Sequence, residues 1–165
     1  MNDIDAGNAA ARYVVKVVVA GRGQADIYDA VGLGKSLTLV RTFKNPAAHR
    51  HERDLVSDSP GRTFNRMAGI HQSYGNRHKI RDEATESFAR ELGKALTTEA
   101  RSVKCAGIVL IGAPRFLNQL QRVVPRAVQT KVIGRIPKDL GRQDLRTINR
   151  YLSAAKKNQE FLEIK

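Results

Sequence analysis

Positions 13–20 read Tyr-Val-Val-Lys-Val-Val-Val-Ala, with Lys16 the one polar residue. A β-branched, nearly continuous apolar run of this length predicts a strand buried on both faces near the centre of a sheet. Gly21-Arg22-Gly23-Gln24 then supplies turn residues. Residues 25–30 read as a returning strand, Gly32-Leu33-Gly34 as a second turn, and residues 36–43 as a third strand. Three strands joined by short turns form an antiparallel meander.

From residue 44 to residue 79 the periodicity disappears. Asn45-Pro46, Ser57-Asp58-Ser59-Pro60-Gly61, Gly69, Ser73, Gly75 and Asn76 mark a long irregular connection, and long connections of this kind are usually functional or disordered. Near Ile80 a helical pattern begins: Ile80, Ala84, Phe88, Leu92 and Leu96 recur at every fourth position as far as about Ala100. Asp82 and Glu83 suit its first turn, and Glu86 stands four residues before Arg90. Residues 106–111 form a short apolar run typical of a buried parallel strand, and Gly112-Ala113-Pro114 turns it into a helix, with Pro114 fit for the first helical position. Residues 128–136 read as a fifth strand, and Leu145, Ile148, Leu152 and Ala155 outline a last amphipathic helix beginning near Gln143.

Sequential strands tend to be neighbours and βαβ crossovers are right-handed, so the simplest arrangement is an α/β fold with one five-stranded mixed sheet in the order 3-2-1-4-5 and helices on its faces. That is a ribonuclease-H-like sheet. One domain is expected over residues 12–157, with a lead-in at 1–11 and a tail at 158–165. The length, 165 residues, is ample for a core that needs neither disulfide nor metal.

Charge adds what the hydrophobic pattern cannot. Lys and Arg number 29 against 16 Asp and Glu, a formal net charge of +13, on a chain too rich in Val, Ile and Leu to be a disordered basic tail. From Gly112 onward there are twelve Lys or Arg residues against four acids, so the excess leans toward the C-terminal half. No apolar run is long enough for a membrane span, and residues 1–11 lack a basic, apolar leader. A cytoplasmic location without membrane contact is expected. The single Cys105 adjoins an apolar run, which predicts a buried thiol rather than a nucleophile.

Several chemical motifs fail on context. Gly32-Leu33-Gly34-Lys35-Ser36 resembles the end of a P-loop, yet Asp29 stands where the first glycine belongs and a strand pattern follows where a helix is required. His49-Arg50-His51 with Asp54 or Asp58 falls short of a zinc ligand set. Two-metal nuclease chemistry needs converging carboxylates. The central strand has none, and Asp26 and Asp29 are spaced to face opposite ways. Neither a metal nor a cofactor is expected, and no nucleophile-elbow sequence supports a Ser-His-Asp triad drawn from Ser57, Ser59, His71 and Asp58.

The basic connection remains. Arg62, Arg66, Arg77, His78, Lys79 and Arg81 are interleaved with Phe64 and Tyr74. Cations neutralise phosphates and aromatic rings offer stacking faces, so RNA contact is expected here in preference to a merely solvated loop. Arg142, Arg146 and Arg150 recur at every fourth position and predict a second positive stripe on the last helix.

Three separated motifs, in order, carry a family resemblance. They are Asp54-Leu55-Val56-Ser57-Asp58-Ser59-Pro60-Gly61-Arg62-Thr63-Phe64, then Val109-Leu110-Ile111-Gly112-Ala113-Pro114-Arg115-Phe116-Leu117 after a helix holding Phe88-Ala89-Arg90-Glu91-Leu92, and finally Lys138-Asp139-Leu140. Together they resemble the bacterial host attachment proteins, described as required for attachment to host cells. That family in turn resembles the central domain of the class-1 peptide release factors of archaea and eukaryotes, which implies a ribosome, rRNA or tRNA partner. In release factors a Gly-Gly-Gln loop precedes the long helix and its glutamine helps position water for peptidyl-tRNA hydrolysis. The nearest counterpart is Gly69-Ile70-His71-Gln72-Ser73, which makes Gln72 the candidate catalytic residue should the chain be an enzyme. Three readings follow: a non-enzymatic ribosome- or tRNA-associated RNA-binding domain, a peptidyl-tRNA hydrolase in rescue or termination, and an interaction factor in host attachment that binds no RNA. A basic domain without a leader is a poor direct adhesin, so an effect on attachment is expected to be indirect.

Overall fold

The computed structural model describes residues 13–48, 69–141 and 143–158, with the backbone alone for 69–78. Strands β1 (Val14–Ala20), β2 (Gln24–Ala30) and β3 (Leu37–Lys44) form the meander. A single 3-10 turn at Pro46–Ala48 follows, then helix α1 (Gly69–Arg101), strand β4 (Cys105–Gly112), helices α2 (Pro114–Val123) and α3 (Arg126–Gln129), strand β5 (Val132–Ile136) and helix α4 (Leu145–Lys157). The sheet order is β3-β2-β1-β4-β5. β1 pairs antiparallel with β2 and parallel with β4, β2 pairs antiparallel with β3, and β4 pairs parallel with β5. The mixed ribonuclease-H-like sheet expected from the hydrophobic pattern is present.

Alternation along β1 sorts the core into two layers. Val15, Val17 and Val19 face one side, where Ile148, Leu152 and Ala155 of α4 cover them. Val18 and Ala20 face the other side, beneath Phe88, Leu92 and Leu96 of α1 and Phe116 and Leu117 of α2. The Phe88 and Phe116 rings meet there at 6.0 Å. Pro114 opens α2 as its composition predicts.

Lys16 breaks the apolar rule on the α1 side and is compensated. Its ammonium lies 2.6 Å from Asp29 Oδ1, directly across the β1–β2 pairing, and 2.7 Å from Glu99 Oε2 on α1. Burial is the largest single influence on its pKa and pulls it down, but the two carboxylates together outweigh burial and hold it above the ordinary 10.5. Asp26, on the opposite face, accepts from Thr42 Oγ1 at 2.6 Å and Gln24 Nε2 at 2.9 Å. The two aspartates of β2 therefore diverge, as their spacing predicts.

Three boundaries differ from the sequence reading. Residues 69–79 belong to α1 and not to a loop. Gly, Ser and Asn disfavour helix there and no apolar stripe marks it, but once the packed part of a helix has formed, each added residue costs little. The expected fifth strand splits: Pro125 caps the single-turn α3, whose Val128 is buried, and β5 begins only at Val132. α4 starts at Leu145, capped by the Asp144 side chain accepting from the Thr147 N–H at 2.8 Å.

Gly32-Leu33-Gly34-Lys35-Ser36 is the β2–β3 turn, followed by a strand. Gly34 has φ of +80°, and a Cβ on it would lie 2.1 Å from Ser153 Oγ of α4. On β3 the register shifts between Arg41, opposite Ile27, and Leu39, opposite Tyr28, which leaves Val40 as a bulge in this edge strand.

Candidate nucleic-acid interface

β1, β4 and β5 are parallel, and β3 runs the same way, being antiparallel to β2, which is itself antiparallel to β1. Four strands thus end on one edge of the sheet. Arg22 follows β1, Lys44 closes β3, Arg115 follows β4 in the first turn of α2, and Lys138 follows β5; all four are exposed. Asn45 ties this edge together. Its N–H donates to Gly23 O at 2.9 Å, and its Nδ2 donates to Arg22 O at 2.9 Å and to Ala84 O of α1 at 3.4 Å.

Since Asn45 meets α1 at Ala84, the helix N-terminal to that point overshoots the sheet. A strand of eight residues such as β4 spans about 26 Å. The 33 residues of α1 span about 50 Å. Residues 79–83 are all exposed. Arg115 braces the helix here, its Nη2 donating to Asp82 Oδ1 at 3.1 Å. Beyond it the helical backbone continues to Gly69.

Tyr74, Arg77, His78, Lys79 and Arg81 therefore lie on a projecting helix instead of a loop, and Gln72 sits in its first turns. Lys79 and Arg81 are exposed, and Lys79 lines a groove of about 880 Å³ between α1 and α2, where Asp82, Glu83 and Glu86 face Arg115 and Arg122. Arg62, Phe64, Arg66 and Arg142 lie outside the described residues, as do His49, His51, Asp54 and Asp58. Among the described residues no group of His, Cys, Asp and Glu could hold a metal.

The second predicted stripe is shorter than its spacing implies, because α4 begins three residues after Arg142. Arg146 and Arg150 remain on it, both exposed. The Lys138 ammonium stands 4.5 Å from the Tyr151 ring and the Arg150 guanidinium 5.9 Å, so cation–π contact links the stripe to the strand-end cations. Asp144, at the head of the helix, is held below its ordinary pKa by the backbone and side-chain hydrogen bonds of Thr147.

Sequence reasoning singles out neither Arg22 nor Lys44. The available signal is positional: each stands at the carboxyl end of a strand whose direction is known once the sheet order is. Cys105 is free and buried, as expected, and burial pushes its thiol pKa up, partly opposed by Lys131.

The class these features define is a ribonuclease-H-like α/β domain with a long helix projecting past a cation-rich sheet edge. The pattern of the family "Protein required for attachment to host cells" matches residues 16–152. The chain belongs to that host attachment family. Compared with the curated proteins, it matches none. Among the described residues no helix is long and apolar enough to cross a membrane.

Proposed function

We propose that the chain is a non-enzymatic RNA-binding domain whose partner is the ribosome or tRNA. The observation that carries this reading is the α1 overhang. It places Arg77, Lys79 and Arg81 beyond the body of the fold, above an edge that already holds Arg22, Lys44, Arg115 and Lys138. A projecting cationic helix on a compact domain suits insertion between phosphate backbones. Its host attachment role then follows indirectly, through what the cell translates.

Sedimentation with ribosomes at graded salt tests the reading. Co-sedimentation is expected at low salt and should weaken steeply as salt rises, because each neutralised phosphate releases counterions. No co-sedimentation at the lowest salt overturns it. The hydrolase reading is weaker, since residues 70 and 71 are helical and do not take the open loop conformations of a Gly-Gly-Gln segment. Release of peptide from stalled ribosomes that is lost in Gln72→Ala would restore it.

A further inference from the structure

A cleft of about 550 Å³ opens in the same sheet edge, between the β1–β2 turn and the segment joining β5 to α4. Gly21, Arg22, Gly23, Gln24, Asp139 and Gln143 line it. The strand between its two walls, β4, passes the chain to α2 on one face of the sheet, while β5 passes it to α4 on the other. In open α/β sheets such reversals leave a crevice at the carboxyl ends of parallel strands, and ligands bind there.

The chemistry of the walls is specific. Asn45 engages the carbonyls of Arg22 and Gly23 and reaches toward α1. In a trans peptide the N–H points opposite to the carbonyl, so the Gly23 N–H faces away from Asn45, toward the side of the sheet that Asp139 and α4 occupy. An amide and a guanidinium at one turn make an anion site. Across from them, Asp139 Oδ1 accepts the Gly141 N–H at 3.4 Å, which leaves Oδ2 to accept from hydroxyl groups. Among the described residues no aromatic side chain lines the cleft, so none of them stacks a base.

We propose that this cleft binds a phosphorylated ribose, with Arg22 and the Gly23 N–H on the phosphate and Asp139 on the ribose hydroxyls. The ligand is either a free ribonucleotide or the terminal nucleotide of an RNA. The RNA arm rests on the function proposed above; the free-nucleotide arm does not.

Amide-resolved NMR titration of the full chain tests it, with ribose 5-phosphate, the four ribonucleoside monophosphates, their 2′-deoxy counterparts and a short oligoribonucleotide as probes. Shifts are expected at residues 21–24, 139, 141 and 143. Arg22→Ala should weaken binding roughly tenfold or more, the loss of one charge-assisted contact. Asp139→Asn should weaken the ribonucleotides and leave the deoxy forms unchanged. Gly21→Ala keeps the fold intact, since its new Cβ would lie 3.8 Å from Gln24 O and 3.9 Å from Asp139 Oδ1, and should weaken every probe by narrowing the cleft. Shifts with mononucleotides assign the free ligand, and shifts with the oligonucleotide alone assign an RNA end. No shift at these residues with any probe at millimolar concentration overturns the proposal, as does equal loss of ribo and deoxy binding in Asp139→Asn. Failure of ribosome sedimentation with mononucleotide shifts intact would strike the RNA reading alone.

Discussion

The Lys16 ammonium sits between Asp29 and Glu99 in a layer that is otherwise apolar. Replacing it by Met keeps the stem and leaves two carboxylates facing each other without a cation. The cost should be about 3 kcal/mol, the lower end of the range for breaking a buried pair, because Asp29 keeps 32% of its side chain exposed. Chemical denaturation of wild type and Lys16→Met would measure it. The pH dependence has a definite sign. A group raised in the fold contributes fully below its unfolded pKa, near 10.5 here, and loses that contribution as pH rises through its folded value. The wild-type advantage should therefore hold steady through neutral pH and shrink only in strong alkali. Gly112 constrains the fold differently. A Cβ there would lie 2.2 Å from Ala20 O, a backbone atom in the central β1–β4 pairing. Gly112→Ala should lower the urea midpoint by the equivalent of roughly 1–3 kcal/mol without changing the slope.

At the scale of elements, α1 divides into a packed half and a projecting half. Charge reversal in the projection, Lys79→Glu, should leave stability within about 0.5 kcal/mol, since Lys79 is exposed. It should lower RNA affinity and reduce the salt slope by about 1. Lys104→Glu, at the opposite end of the sheet just before β4, is the matched control and should change neither. Equal losses in the two variants would mean diffuse attraction to net charge instead of a defined surface. The packed half of α1 was legible from Ala84, Phe88, Leu92 and Leu96, since each has a core to face. The N-terminal stretch was not, because Gly69, Ser73, Gly75 and Asn76 interrupt it with residues that disfavour helix. A different ambiguity hid the start of β5. Val128 is apolar because it packs beneath α1 from α3, and apolarity without periodicity cannot separate one helical turn from a strand.

Across the whole molecule the sheet order was readable because apolar runs, short turns and crossover handedness together leave few alternatives. The cation-rich edge was not, since Arg22, Lys44, Arg115 and Lys138 are scattered along the sequence and meet only when four strands end together. The same holds for Lys16, Asp29 and Glu99, which pair through strand register and helix placement. The bulge at Val40 has a consequence at this scale as well. β3 is an edge strand with Leu39 54% and Val40 43% exposed, a combination that ordinarily invites sheets to join. One extra residue, with Arg41 and Lys44 beside it, bends the hydrogen-bonding edge so that a second sheet finds no straight partner. Deleting Val40 should restore a regular ladder and produce concentration-dependent association in size-exclusion chromatography; an unchanged monomer-to-oligomer profile would count against it. A warped border of this kind lets the chain stand among other exposed strands without being drafted into their aggregates.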